Sequence, residues 1–542
     1  MNWVKLAKSS TLCLGLLLLV TSCRSQPGNQ PGGVTTSSGS GDGRITIGTT
    51  QEPRTLDPAD AYELRSLNLV YNMSDRLYAY APGTTNLEPE LATALPKVTP
   101  DALTYTITLR QGVVFHDGTP LTAKVMADSL LRFRNNGGQP AFLLKDIVDT
   151  IQATSDTELK IKLKKPFSAF PALLAFIGTC PVSPKEYQIG EGKFIQSKFT
   201  GTGPYKLTSY GTDSVRFDLF DQYWGTKPVN KGVNWRIYKS SANNLFNAFK
   251  RGEIDVAYFS LEPTQIRSLE QEAKQGKIQA ISSPGTTISY MMLNVKQKPL
   301  DNPLVRQAIA SFINRQLINE RVLFNQAEPL YSTIPTSFDV SLPLFKEKYG
   351  DANIEKAKQL LQQAGFSATN PAKLQIWYPS GSPTRQKAAN LLAEYAKQQM
   401  GGILEFEVKT DDGAIFFSNK SKGVYPITLL DWYPDFLDAD NYVQPFLECP
   451  KGSVTGGCQE GGSKSQGSFY YNPKMNQLID SERKELNPET RKKIFADIQN
   501  LIAQDVPLIP LWQTKDYVFA QKGVAGVQIN ATQTLPYSPI KK

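Results

Sequence analysis

Runs in which apolar and polar residues alternate are interleaved along the chain with stretches whose apolar positions recur every three or four residues, the two periods of strands and helices. RITIGTT, from Arg44, alternates and then breaks at Glu52-Pro53, which predicts a first strand feeding an irregular segment. Leu64 to Tyr80 reads as a helix. Tyr105, Ile107 and Leu109 alternate with Thr104, Thr106 and Thr108, and Val113 and Phe115 lead into His116-Asp117-Gly118, so a hairpin turning at Asp-Gly is expected. Thr122 should then cap a helix carrying Val125, Met126, Leu130 and Phe133. GTGPYKLTSY and SVRFDLF predict a strand pair, followed by a helix around Leu245 to Lys250 and the buried strand EIDVAYFS. After the strand ISYMMLNV, Asn302 is the expected N-cap and Pro303 the first helical residue. Val305, Ala308, Ile309, Phe312 and Ile313 then form an apolar face. The helix IEKAKQLLQQA should end at Gly365 in a left-handed cap before the strand LQIWYP. Asn487-Pro488 opens a late helix that buries Ile494, Phe495, Ile498, Leu501 and Ile502 ahead of a closing strand, PLIPLW. Elements alternating at this pace imply an α/β protein.

The first residues follow neither period. Lys5 and Lys8 precede an apolar stretch from Leu12 to Val20 and then Thr21-Ser22-Cys23. As a helix that stretch spans about 14 Å, against roughly 30 Å for a bilayer core, so residues 1–22 read as a signal peptide and not a membrane span. The small residues before Cys23 resemble the lipobox of bacterial lipoproteins, which would make Cys23 the lipidated N-terminus; the alternative is an ordinary secreted protein cleaved nearby. Residues 24–43 are Gly, Ser, Pro and Gln with almost no apolar content. They cannot offset their ordering entropy by burial and predict a flexible tether with a reach of roughly 25 Å.

The chain has 542 residues, of which 40% are hydrophobic and 20% charged, enough to bury more than one core. Its net charge of +9 is thinly spread and forms no basic stripe, so no nucleic-acid partner is expected. The single histidine, His116, excludes metalloprotease motifs, multi-histidine metal sites and most general-base chemistry. No GxxxxGK[ST], GxSxG or metal-spaced cluster appears, and no catalytic residue, cofactor or metal is expected. Gly201-Thr202-Gly203 runs into Pro204 with no third glycine and reads as a structural turn. Among the cysteines, Cys13 leaves with the leader, Cys180 beside an apolar run reads as a buried thiol, and Cys449 and Cys458 bracket the turn-rich PKGSVTGG. Their spacing predicts a loop disulfide contributing about 2 to 3 kcal/mol.

The stretch with the most chemistry is LDWYPDFLDADNYVQPF, Leu430 to Phe446. Trp432, Tyr433, Phe436 and Tyr442 are set among Asp431, Asp435, Asp438 and Asp440, and Pro434 limits the backbone. Aromatic faces beside carboxylates can hold a cationic or amphipathic small molecule. The same residues would also suit a solvated acidic loop, and more weakly a calcium loop.

Eight segments in order resemble the peptide/nickel-type solute-binding proteins of bacterial ABC importers: TYTITLRQGVVFHDGTPLTAKV at 104–125, GTGPYKL, YWGTKP, FKRGEIDVAY, NVKQKPLDNPLVRQAIASFINRQLI, AKQLLQQAGF, YYNPKMNQLI and VPLIPLW. The resemblance implies a type II periplasmic-binding-protein fold, a hinged trap of two α/β lobes joined by two strand crossings. Lobe I would be 44–62, 188–285 and 516–542, with a subdomain inserted at 63–187, and lobe II would be 286–515. A monomer of this kind closes on its solute, docks on the permease and catalyses nothing. Lipidated at Cys23, it would sit on the periplasmic or cell-surface face of a bacterial membrane. In peptide-binding members a Trp-x-x-Asp segment pairs with the peptide's α-ammonium, so Asp435 inherits that role and Trp432 and Tyr433 the surrounding pocket. Tyr290 and Glu52 are further candidates for the cleft. Short peptide is the expected cargo; a metal chelate, a glutathione-like compound, an opine or an oligosaccharide are the alternatives. An exported glycosidase using the Asp431–Asp440 carboxylates is the remote one. LDADNY and the glycine loop at 449–462 depart from peptide-binding relatives.

Overall fold

Two long strands, Ile278–Leu293 and Leu508–Gln521, pair antiparallel from Ile278↔Gln521 to Met292↔Leu508 and form the spine of the molecule. The computed structural model describes residues 42–239, 241–258 and 261–542; the leader, Cys23 and nearly all of the tether lie outside the described residues. Among the described residues the spine is the middle of an eleven-stranded sheet. On one side follow Val256–Tyr258, Ile45–Thr49, Val233–Ile237, Ser214–Leu219 and Tyr205–Tyr210; on the other Ile427–Trp432, Ala372–Pro379 and Leu404–Asp411; the eleventh, Ala327–Pro329, pairs with Leu508–Gln521 off this path. The pairing register slips between Pro284 and Ile288, where the spine passes from the first set of neighbours to the second.

Each half of the sheet has its own core. One gathers Ile47, Phe217 and Trp235 with Tyr105, Ile107 and Phe133, so it is shared with a four-stranded sheet of Lys97–Val98, Thr104–Thr108, Glu158–Leu163 and Val148–Ala153 and with the helix Ala123–Asn135. The other gathers Met291, Ile309, Ile376, Leu429, Phe446 and Ile498. Separate cores joined by a two-stranded ribbon suit rigid bodies that move about that ribbon. In the first core, Asp57 is fully buried and takes a bidentate pair from Arg132 at 2.7 and 2.6 Å.

The predicted caps form as expected. Thr122 accepts from Val125 N at 3.3 Å, Asn302 from Leu304 N at 3.0 Å and Asn487 from Thr490 N at 3.0 Å, and Gly365 takes φ +88° after the helix Ile354–Gln363. Two expectations need correction. The helix from Leu64 ends at Met73, and Tyr78–Tyr80 is a strand paired with Leu87–Pro89. Asp75, just past the helix end, accepts from Thr202, Tyr223 and Trp224, and these long-range bonds outweigh local helix propensity. Gly203 packs on the same end, where a Cβ would lie 2.4 Å from Met73 C. The residues Thr104–Thr108 pair with Glu158–Leu163 and Lys97–Val98 rather than with 113–115, because an antiparallel partner arrives later in the chain. Asp117-Gly118 does turn, but it closes a small loop bridged at Val114 and Pro120, with Gly118 at φ +80°.

His116 belongs to that loop. Its Nε2 donates to Gly203 O at 3.0 Å and its Nδ1 accepts from Gly201 N at 3.3 Å, and burial pushes its pKa down to about 4. Cys449 and Cys458 form a disulfide across the short hairpin Lys451–Ser453 and Gly457–Glu460, and Cys180 is a buried thiol that burial pushes up to about 12. Among the described residues no helix is long and apolar enough to cross a membrane.

Candidate functional site

Open α/β sheets hold ligands beyond the carboxyl ends of their parallel strands. Ile427–Trp432 is such a strand, and the residues that follow it, Tyr433 to Leu437, leave the sheet and form one wall of a narrow cavity of about 40 Å³. The facing wall comes from the first core: Leu64, Leu67 and Tyr80, with Ala175, Phe176 and Ile177. Thr286 of the spine and Thr532 complete it.

Asn441 fixes the turn that presents Asp435. Its side-chain oxygen accepts from Asp435 N at 3.0 Å and from Trp432 Nε1 at 3.2 Å, and Trp432 packs edge-on against Phe446. Tyr433 reaches Thr532 O with its hydroxyl at 3.3 Å, and Leu437 N donates to the Tyr80 hydroxyl at 3.0 Å. The Tyr62 hydroxyl donates to the Asp435 carboxylate, while the Tyr62 ring packs edge-on against Phe142 and Phe176. The Tyr62 and Tyr80 hydroxyls thus both join this side of the cavity to the segment after the strand. Burial raises the Asp435 carboxyl above its ordinary value even though the Tyr62 bond works in the opposite direction.

The four acids of this stretch have different fates. Asp431 takes Ser289 and the Arg385 guanidinium, Asp438 takes a bidentate pair from Arg491 at 2.7 Å and 2.7 Å, and Asp440 faces Arg483 at 3.5 Å. Asp435 alone among them has no lysine or arginine partner among the described residues; its neighbours are Tyr62 and Asn441. A carboxylate held in a mostly apolar cavity without a cation is arranged to receive one.

The site therefore unites Trp432, Tyr433 and Asp435, with Trp432 bracing the turn behind the wall. Tyr290 lies elsewhere: it is 1% exposed in the second core, edge-on to Phe446, with its hydroxyl on Gln466 at 3.4 Å. Glu52 is exposed and ion-paired with Lys239 at 3.5 Å, outside the cavity wall. LDADNY is scaffold, since Asp438 caps the turn at Ala439–Tyr442 and Tyr442 donates to Thr286 O at 2.8 Å. Sequence reasoning missed Tyr62, Tyr80 and Arg385, which come from distant segments with no local motif. It also missed Asp516, whose carboxyl burial pushes up to about 7.

Residues 86–453 match the model of the bacterial extracellular solute-binding proteins, family 5. The glutathione-binding protein GsiB of Pectobacterium atrosepticum is 27% identical over 480 residues, covering 86% of this chain and 88% of that protein. The probable D,D-dipeptide-binding periplasmic protein DdpA of Escherichia coli is 26% identical over 500 residues, covering 90% and 91%. Among solved structures, HbpA2 from Haemophilus parasuis superposes with a TM-score of 0.79 at 22% identity, over 92% of this chain and 99% of that one. DppA from Helicobacter pylori, solved with the peptide STSA, gives 0.70 at 23% identity, over 92% and 98%. These neighbours share the two-lobed architecture. The chain belongs to the family 5 bacterial extracellular solute-binding proteins, the substrate-binding components of ABC importers.

Proposed function

We propose that the solute is a short peptide, captured between the lobes with its free α-ammonium on Asp435 and passed to a membrane permease. The observation that carries this reading is that Asp435, alone of the four aspartates at 431–440, lacks an arginine partner. The apolar wall around it suits the adjoining peptide side chain. Arg385, on the first turn of the helix Pro383–Gln399 and ion-paired with Asp431, is the cation this reading assigns to a carboxylate further along the cargo. Relatives named for glutathione and for D,D-dipeptides support a cargo with a free amino group, as does a neighbour solved with a peptide. A glutathione-like compound is the second reading, favoured by the GsiB relatives, since it offers the same ammonium to Asp435. Three of the four acids are tied to arginines, which leaves no free carboxylate pair for a glycosidase there.

In this account the chain is an exported monomer anchored by lipid on Cys23 and catalyses no reaction. Its lobes are 44–62 with 188–285 and 516–542, carrying the insertion 63–187, and 286–515. Calorimetry with trialanine, N-acetyl-trialanine and glutathione tests the cargo. Trialanine should bind roughly 30- to 1,000-fold more tightly than its acetylated form. Equal binding of the two would overturn the ammonium assignment, and binding of glutathione alone would replace the peptide by the second reading.

A further inference from the structure

We propose that Asp516 is a second cation acceptor in the cleft, so that this receptor favours peptides whose first residue carries a cationic side chain. The inference rests on the reading that the α-ammonium goes to Asp435.

Asp516 lies on the spine strand Leu508–Gln521, in register with Ser283 and beside the slip between Pro284 and Ile288. Its carboxylate accepts from Gln533 Nε2 at 2.6 Å and has no lysine or arginine partner among the described residues. Two neighbours tie it to the cavity wall: Gly285 precedes Thr286, and Gln533 follows Thr532. At Gly285 a Cβ would lie 3.1 Å from Asp516 Oδ1 and 2.3 Å from Thr514 Oγ1, so the missing side chain makes room for the carboxylate between the strands. Thr514 Oγ1 is itself buried without a hydrogen-bond partner, a second polar atom left over at the same spot.

The group between the two carboxylates is Tyr433, whose phenol is raised by burial and by the charges of both Asp516 and Asp435. As a residue Tyr433 is 40% exposed, and its hydroxyl donates to Thr532 O at 3.3 Å. A long side chain reaching from Asp435 toward Asp516 would pass beside Tyr433, which lines the cavity. The other titratable group facing Asp516 is Tyr258, and the adjacent Lys515 is turned toward Glu328 at 4.0 Å. Two carboxylates that lack a lysine or arginine partner among the described residues and both act on the cavity residue Tyr433 would suit two cations rather than one. A peptide with lysine or arginine first supplies both from a single residue.

The test compares Lys-Ala-Ala with norleucyl-Ala-Ala, which differ by the side-chain amine, using calorimetry on the full-length protein at pH 7. The lysyl peptide should bind about tenfold or more tightly. Asp516→Asn should bring the ratio of the two affinities close to one. Because burial pushes Asp516 up to about 7, cation binding should also release more protons with the lysyl peptide than with the norleucyl peptide, read from buffers of different ionisation enthalpy. A purely structural Asp516 would not produce that difference, so the wild-type proton count decides even if the variant folds poorly. Equal affinities in the wild type, a preference that survives Asp516→Asn, or equal proton release would each overturn the proposal and leave the peptide reading intact. If neither peptide binds the wild type, the peptide reading fails and this inference fails with it.

Discussion

Replacing Asp435 with asparagine keeps the shape of the side chain and removes its charge, so it isolates the ion pair on which the functional reading depends. The carboxylate lies in a mostly apolar cavity with one hydrogen bond from Tyr62 and a turn held by Asn441, and neither bond needs the charge in order to form. Removing one partner of a buried, hydrogen-bonded charge pair costs about 2 to 5 kcal/mol, much of it the penalty of leaving the other charge buried and unpaired. Asp435 is half-buried and its neighbours survive the substitution, which places the loss at about 2 to 4 kcal/mol, or roughly 30- to 1,000-fold in Kd. Calorimetry with trialanine measures it, and thermal melting of the empty variant checks that the fold is intact. Acetylating the peptide should cost a similar amount in the wild type and little more in Asp435→Asn, because both changes remove the same contact. An unchanged Kd in the variant, or fully additive losses, would refute the reasoning.

Other outcomes follow from single contacts. Tyr62→Phe with Tyr80→Phe removes two hydrogen bonds that join the first core to the segment after the strand and should weaken closure of the empty protein by about 1 to 3 kcal/mol, seen as a larger radius of gyration in solution scattering; an unchanged radius would count against a latch. His116 should stay neutral well below its unfolded value of about 6.5. Under acid the unfolded chain takes up a proton that the folded one refuses, so this contribution to stability is complete above about pH 6.5 and declines toward pH 4. The single histidine ring should therefore show no NMR titration between about pH 8 and 5, and a midpoint near 6.5 would contradict its burial. Arg132→Met strands the buried Asp57 carboxylate and should cost about 3 to 5 kcal/mol in urea unfolding, much of it recovered by adding Asp57→Asn. A loss below about 1 kcal/mol would show the pair to be dispensable.

The sequence carried most of what is local. Caps at Thr122, Asn302 and Asn487, the glycine at 365 and the alternation of the strands all depend on neighbours within a few residues, and they form where the pattern put them. The helix from Leu64 ran on too far because Asp75 is claimed by Thr202, Tyr223 and Trp224, more than a hundred residues away. The hairpin after Thr104 was misassigned for a similar reason, since its partner strand begins at Glu158. At the site, the WYPD segment stood out by composition, but composition could not say which of its four acids lacks a cation. That depends on where Arg385, Arg483 and Arg491 arrive in space. Tyr62 and Asp516 were invisible for the same reason, as was the burial of Tyr290 against Phe446.

The most direct test of the central claim is native mass spectrometry of the protein as purified, followed by denaturation and sequencing of whatever is released, with the Asp435→Asn variant in parallel. Closure slows release, so cargo can survive purification. The account predicts short peptides with free amino termini on the wild type and their loss from the variant. A bound species without an amine, retained equally by the variant, would contradict it.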